Sequence, residues 1–312
     1  MNEVINAIKS LNNTIYISGH KRADCDSLCS SISLALILND IGKNCKVYVE
    51  NCDIEKIDYF NCSDIIVNKI EDSFFTLISV DLNNNDRLPS DIKEVFEKAN
   101  KTINIDHHLK NVTCADYICS LEDKSSTCEI VYEMSTKLNV PISKKVAELL
   151  FTGIVSDTNM LVDNASYQTF LIISELIKKD INKDFLINKY VISKTKDEMK
   201  IIAYMINNLI FDKIHYVILD INKEPFKNVS YINISKKCIP VIMCNEDIKL
   251  LLVIMNYGNK IKGEIRSRGN INSEKLANLL NGGGHFNASS FSCKKDLSSI
   301  IDISKKYMEK IK

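Results

Sequence analysis

The chain has no net charge: its 312 residues carry 40 Lys and Arg against 40 Asp and Glu. A broad basic field is therefore missing, and with it the electrostatics that coat long nucleic acids. A small phosphorylated ligand held by a few local Lys and Arg stays compatible with this balance. No window approaches the roughly 18 consecutive apolar residues of a membrane helix, so no membrane partner is expected. The opening run MNEVINAIKSLNN lacks a basic segment followed by an apolar one, and no signal peptide is expected. Cysteines number 11, an odd count, with no C-x-x-C pair among them. That argues against a secreted disulfide framework and for reduced, mostly buried thiols in the cytoplasm. Histidine is scarce, with five in all: His20, His107, His108, His215 and His285. No internal repeat and no low-complexity tract is visible.

Hydrophobic residues make up 45% and charged residues 26%, the balance of a globular protein long enough for two domains. The first half alternates strand-like and helix-like segments. Apolar runs predict strands at Thr14–Ser18, Cys45–Val49, Phe74–Val80 and Thr102–Ile105, and helical spacing covers Ser27–Leu38 and Asp91–Ala99. Such alternation predicts an α/β domain, a parallel sheet with helices on both faces, whose ligands bind outside the strands' carboxyl ends. Helical patterns follow at Thr127–Leu138, Ser143–Val155 and Tyr167–Lys178, then a charged stretch without Gly or Pro, Asn182–Asn208, which reads as a helical connector. Beyond it, Ile214–Leu219, Ile239–Met243, Lys249–Asn256 and Lys260–Arg266 have strand composition, and Glu274–Leu280 predicts a helix. The boundary falls near residue 190, giving a larger α/β domain over 1–190 and a smaller α/β domain over 191–312.

Four of the five histidines stand in short polar clusters at the end of an apolar segment. His20-x-x-x-Asp24-x-Asp26 follows the first strand and aims an imidazole and two carboxylates at one point, a mixture suited to divalent cations. Asp26 or Ser27 serving merely as a helix N-cap is the ordinary alternative. Asp81 follows the strand FFTLISV and is either a turn former or a site residue. Asp106-His107-His108 ends another strand. Two adjacent histidines on an extended chain face different ways, so one suits a metal and the other a substrate. Asp157 closes an apolar helical segment. Each cluster is ordinary alone, but together they supply the oxygen and nitrogen ligands of two cations, enough to activate a water and clamp the oxygens of a phosphoryl displacement. In the second half, Arg266 and Arg268 end a strand before Gly282-Gly283-Gly284-His285. Arginine forks and glycine backbone amides both suit phosphate, while a solvated strand face and a flexible turn are the plainer readings.

The order His20-x-x-x-Asp24-x-Asp26, Asp81, Asp106-His107-His108, Asp157 resembles the DHH phosphoesterase family, and Gly282–His285 with Ala288 resembles the GGGH loop of its associated C-terminal domain. The resemblance runs from about Thr14 to Phe291. It implies two Mn(II), with Co(II) or Mg(II) as competitors, in an active site at the interdomain cleft. His20, Asp24 and Asp81 would hold one ion, and Asp26, Asp81, His107 and Asp157 the other, with Asp81 bridging. It further implies that Asp106 orients His107 and that His108 contacts the scissile phosphate or assists proton transfer to the leaving oxygen. Ala23 stands where the family usually has Pro, Cys25 where it has Gly, and Ser289-Ser290 where it has Ala-Gly. Neither Ala23 nor Cys25 is a ligand position, although Cys25 sets a thiol beside two carboxylates, and Ser289-Ser290 bears on the shape of the glycine loop.

Within the family, inorganic pyrophosphatases lack the GGGH loop, RecJ-like exonucleases are longer, and membrane-tethered cyclic dinucleotide phosphodiesterases carry preceding membrane segments. The pattern here is similar to the nanoRNase and pAp-phosphatase group. Short oligoribonucleotides, dinucleotides and pAp are the implied substrates, and a homodimer is compatible with it. Hydrolysis of cyclic di-AMP or its linear product pApA is the main alternative; a non-catalytic nucleotide sensor and a pyrophosphatase stand behind it.

Overall fold

The structure, a computed structural model, describes residues 1–50, 54, 57–294 and 296–311. The chain divides into two compact units, Met1–Ser193 and Lys194–Lys312. The first runs α1 (Asn2–Lys9), β1 (Thr14–Ser18), α2 (Cys25–Asp40), β2 (Cys45–Tyr48), β3 (Ile66–Val67), β4 (Phe75–Val80), α3 (Ser90–Val95), β5 (Lys101–Asp106), β6 (Tyr117–Ser120), α4 (Thr127–Leu138), α5 (Lys144–Asp157), α6 (Tyr167–Ile177) and α7 (Lys183–Ile187). Its six strands form one parallel sheet in the order β3-β2-β1-β4-β5-β6.

The two-residue period of the strands explains why both faces are covered. Ile15 and Ile17 of β1 join a core with Ile32 of α2, Val131 of α4 and Leu150 of α5. Tyr16 points the other way, into a smaller core with Leu77, Leu88 and Ile92 of α3. A parallel strand packed on both sides must be apolar throughout, and β4 is buried at every position. Because β1, β4 and β5 are adjacent and parallel, the residues after Ser18, after Val80 and at Asp106 emerge on one edge.

The second unit contains α8 (Lys196–Asn207), β7 (Ile210–Phe211), β8 (His215–Asp220), α9 (Tyr231–Asn233), α10 (Ile239–Ile242), β9 (Leu250–Asn256), β10 (Ile261–Ser267), α11 (Ser273–Leu279), β11 (Gly283–Gly284), β12 (Ala288–Cys293) and α12 (Leu297–Glu309). Its sheet has the order β11-β12-β10-β9-β8-β7, parallel between β8 and β9 and antiparallel elsewhere. Two expectations change here. The segment Ile239–Met243, read as a strand, is helical through Ile242. Ile234, Cys238, Ile239 and Ile242 are buried together at three- and four-residue spacing, and Pro240 sits at the second helical position, where its missing N–H breaks no bond. The connector expected over Asn182–Asn208 is not continuous. A π-helical turn ends at Ile192, and α8 restarts after Thr195, whose hydroxyl and Glu198 close a capping box. No helix among the described residues is long and apolar enough to cross a membrane.

Candidate metal centre

Each residue of the first unit's polar clusters is positioned by a specific backbone event. His20 follows β1 and is 6% exposed. Asp24 caps α2, one carboxylate oxygen accepting from the Ser27 N–H at 3.1 Å, which leaves the other oxygen toward His20. The cap is thus Asp24, not Asp26 or Ser27, and capping coexists with placement in the cluster. Asp26 lies in the first turn of α2. Asp81 terminates β4 in the left-handed region, φ +59°, a conformation that Asp tolerates better than most residues. Asp106 is the last residue of β5 and Asp157 the last of α5. Packing of α5 against α2 brings Asp157 to the sheet edge. Gly153 permits that approach, since a Cβ there would lie 2.2 Å from Cys128 Sγ and 3.1 Å from an Asp26 oxygen.

The geometry separates into two lobes that share Asp81. One Asp81 oxygen lies 3.6 Å from His20 Nε2, and the other lies 3.6 Å from His107 Nε2. His20 Nε2 is also 3.8 Å from Asp24, and His107 Nε2 is 3.5 Å from Asp157. The trios His20–Asp24–Asp81 and Asp26–His107–Asp157 each bring one donor atom per residue within 4.8 Å of the others. Both histidines direct Nδ1 at a backbone carbonyl: His20 at Lys21, 3.0 Å away, and His107 at Lys124, 3.3 Å away. A carbonyl only accepts, so Nδ1 carries the proton and Nε2 offers a lone pair to the cluster.

A third trio, Asp81–His107–His108, satisfies the same distance test. His108, however, gives its Nδ1 proton to Asp106 at 2.7 Å, so that nitrogen is already engaged. This corrects the expectation that Asp106 orients His107. Asp106 is thus taken by His108, while His107 directs its Nδ1 at the Lys124 carbonyl. Asn111 Nδ2 donates to the other Asp106 oxygen at 3.0 Å.

Several residues of the site carry no signature in the motif reading. The N-terminus of α4 holds two carboxylates at once: the N–H groups of Thr127 and Cys128 donate to Asp26 at 2.8 and 3.0 Å, and the Thr127 hydroxyl donates to Asp81 at 3.1 Å. Helix N-termini stabilise anions. The signal that marks this one is the polar run Ser125-Ser126-Thr127 just before an apolar periodic segment. Glu129, fully buried, ties that turn down by accepting from Ser125 and from Thr169 of α6.

Burial and crowding dominate the electrostatics of the cluster. Burial, with the charges of Asp81 and Asp157, pushes the Asp26 carboxyl up to about 8. Burial, with Asp24 among the neighbours, raises Asp81 well above the usual carboxylate range. His20 Nε2 is buried without a hydrogen-bond partner. Carboxylates crowded in a largely buried cluster around an orphan imidazole nitrogen fit a divalent cation.

The second unit's expected phosphate ligands are placed as follows. Arg266 donates to Glu264 at 2.7 Å and to Ser235 Oγ at 2.8 Å, and the Tyr231 hydroxyl donates to the other Glu264 oxygen. Arg268 donates to the Asn245 carbonyl at 3.1 Å. Gly283 and Gly284 form β11 against Ser290 and Ser289. The His285 N–H donates to the Ala288 carbonyl at 2.8 Å, turning the chain into β12.

The sequence profile of the DHH family's N-terminal domain matches residues 14–154. Residues 14–154 therefore form a DHH-type domain. A bifunctional oligoribonuclease and PAP phosphatase, NrnA, of Mycoplasma genitalium is 27% identical over 324 aligned positions, which cover 96% of this chain and 95% of that one. A probable manganese-dependent inorganic pyrophosphatase of Streptococcus thermophilus is 31% identical over 157 residues, 47% of this chain and 49% of its own length. The crystal structure of an exopolyphosphatase-related protein from Bacteroides fragilis shares the fold, with a TM-score of 0.83 at 21% identity, over 99% of this chain and 95% of that one.

Proposed function

We propose that this chain is a DHH phosphoesterase, a cytoplasmic, two-metal enzyme that hydrolyses short nucleotides, acting on oligoribonucleotides of a few residues and on pAp. The observation that carries the reading is the position of Asp81, whose two oxygens face His20 and His107 in separate lobes of one buried cluster. His20, Asp24 and Asp81 would hold one ion, and Asp26, His107, Asp157 and Asp81 the other. Bound there, divalent metals supply an acidified water and a charge clamp on the phosphoryl oxygens.

The chain's own groups do the rest. Thr127 and Cys128 hold Asp26 toward the cluster, and the bond from His108 Nδ1 to Asp106 makes Nε2 the nitrogen this reading turns to the substrate or the departing oxygen. For the substrate, end-to-end similarity to the oligoribonuclease and PAP phosphatase favours nucleotides. The pyrophosphatase match reaches only about half of either chain. Arg266, Arg268, Gly282–Gly284 and His285 are the substrate contacts this reading assigns to the second unit.

The test is a panel of pAp, dinucleotides, pApA, cyclic di-AMP and pyrophosphate, supplied to the full chain with Mn(II) and analysed for products. AMP from pAp and mononucleotides from dinucleotides are expected, and Asp81→Ala should abolish both. Phosphate release from pyrophosphate alone would replace this reading with a pyrophosphatase. Tight nucleotide binding with no turnover would replace it with a sensor.

A further inference from the structure

Beside the metal centre stands a cation that the motif pattern does not mark. Arg87 lies in the loop that follows Asp81, at the end of a short 3-10 turn, Asn85–Arg87. Its side chain is half-buried, and its guanidinium has no hydrogen bond or ion pair among the described residues. The contrast with its neighbours is sharp. Asp86 pairs with Lys93, and the Lys21 ammonium donates to the Asp86 carbonyl at 2.9 Å. A guanidinium recruited only to neutralise the acidic cluster would be paired with one of its carboxylates, and Arg87 is not.

Its backbone, by contrast, is fixed. The Lys21 N–H donates to the Arg87 carbonyl at 2.7 Å, locking the loop after β4 onto the residue next to His20. Asn84 caps the turn through the Asp86 N–H, and Leu88 anchors it in the core beneath α3. A partly desolvated donor fork with its donors unspent, on a backbone tied to the residue next to His20, is complementary to a phosphate.

We propose that Arg87 is a substrate-binding residue of the first unit, whose guanidinium receives a phosphate of the nucleotide at the metal centre. This rests on the phosphoesterase reading above but names a contact within the first unit alone.

The experiment titrates full-length, Mn(II)-loaded protein with AMP and with inorganic phosphate by calorimetry, for the wild type, Arg87→Ala and Arg87→Lys. Free Mn(II) is followed by electron paramagnetic resonance, and melting temperature is recorded for each. Loss of a charge-assisted contact weakens binding by about tenfold or more in Arg87→Ala, with partial recovery in Arg87→Lys. Mn(II) affinity and melting temperature stay at wild-type values. AMP and phosphate affinities within twofold of wild type in Arg87→Ala overturn the proposal, as does a parallel loss of Mn(II) affinity and stability, or a wild type that binds neither probe. If the wild type turns over neither pAp nor dinucleotides while phosphate binding still depends on Arg87, the nucleotide reading fails and the Arg87 contact stands.

Discussion

His108 Nδ1 donates to Asp106 Oδ1 at 2.7 Å, and Asp106 is completely buried. Asn111 donates to the second Asp106 oxygen, and the same amide group reaches Asn104 Oδ1 at 2.7 Å. Asn104 in turn donates to Ser79 and to the Leu82 carbonyl, which leads out of β4 toward the Asp81 loop. The imidazole is therefore held by a chain of buried polar groups that spans two neighbouring strands. Such a network fixes the ring's orientation, with the Nδ1 proton directed at Asp106.

Asp106→Asn tests that arrangement. The amide keeps the shape but cannot hold an imidazolium, so kcat for the preferred substrate should fall by about 10²-fold or more. Mn(II) affinity should change little, because neither Asp106 oxygen faces His20 or His107. Steady-state kinetics with a parallel Mn(II) titration decide it. A selective loss of metal affinity would return Asp106 to the support of His107.

Thr127 offers a cleaner dissection of metal support. Its N–H holds Asp26 and its hydroxyl holds Asp81, so Thr127→Val removes only the second bond. Outer partners of metal ligands are typically worth about 10- to 100-fold in affinity. Mn(II) binding in Thr127→Val should weaken by that order, and Thr127→Ser should restore it. Equal affinities in Val and Ser variants would mean that the hydroxyl does not steer Asp81.

The ligand cluster was legible because polar residues at the ends of apolar strands are conspicuous. His20, Asp81 and Asp106 stand where TIYIS, FFTLISV and TINI stop, and parallel neighbours must release them on one edge. The pairing of Asp106 was not legible, because adjacent His107 and His108 differ only in direction. Thr127 and Arg87 were missed for a different reason. A helix N-terminus and a loop arginine are common, and only tertiary packing of α4 and of the β4 loop makes these two distinctive. In the second unit, Ile239–Met243 misled because a short apolar run fits a strand or a helix until its neighbours are known.

Metal removal should make stability depend on pH in a stated direction. In the metal-free chain, burial and neighbouring carboxylates raise Asp26 to about 8 and raise Asp81 as well. Burial alone would lower His20, but Asp24 and Asp81 outweigh it and raise that group too. A folded state that binds protons more tightly than the unfolded chain loses stability as pH rises. The window opens near the unfolded carboxylate value of about 4 and closes at the folded value. Chelator-treated protein should therefore melt at a lower temperature at about pH 8 than at about pH 5.5, and Mn(II) should abolish most of that difference. Parallel melting curves with and without metal, over the same pH range, would contradict it.

The glycine run separates structural need from ligand contact. A Cβ on Gly282 would fall 2.1 Å from the Ser290 carbonyl oxygen, which is backbone and has nowhere to go. At Gly284, φ is +146° and a Cβ would meet Ser289 Cα at 2.6 Å. Alanine at either position should therefore destabilise the second unit by about 1–3 kcal/mol, whatever the loop binds. Gly283 differs: nothing lies within 4 Å of its added Cβ, and its φ is not left-handed. Gly283→Ala should leave the unfolding free energy within about 0.5 kcal/mol of wild type, with any gain arising from a less flexible unfolded chain. If backbone amides of this loop approach a phosphate, the new methyl group stands in the way, and KM for the nucleotide should rise several-fold at unchanged melting temperature. Unaltered KM in Gly283→Ala would assign all three glycines to the packing of β11 against β12 and remove the loop from the substrate contacts.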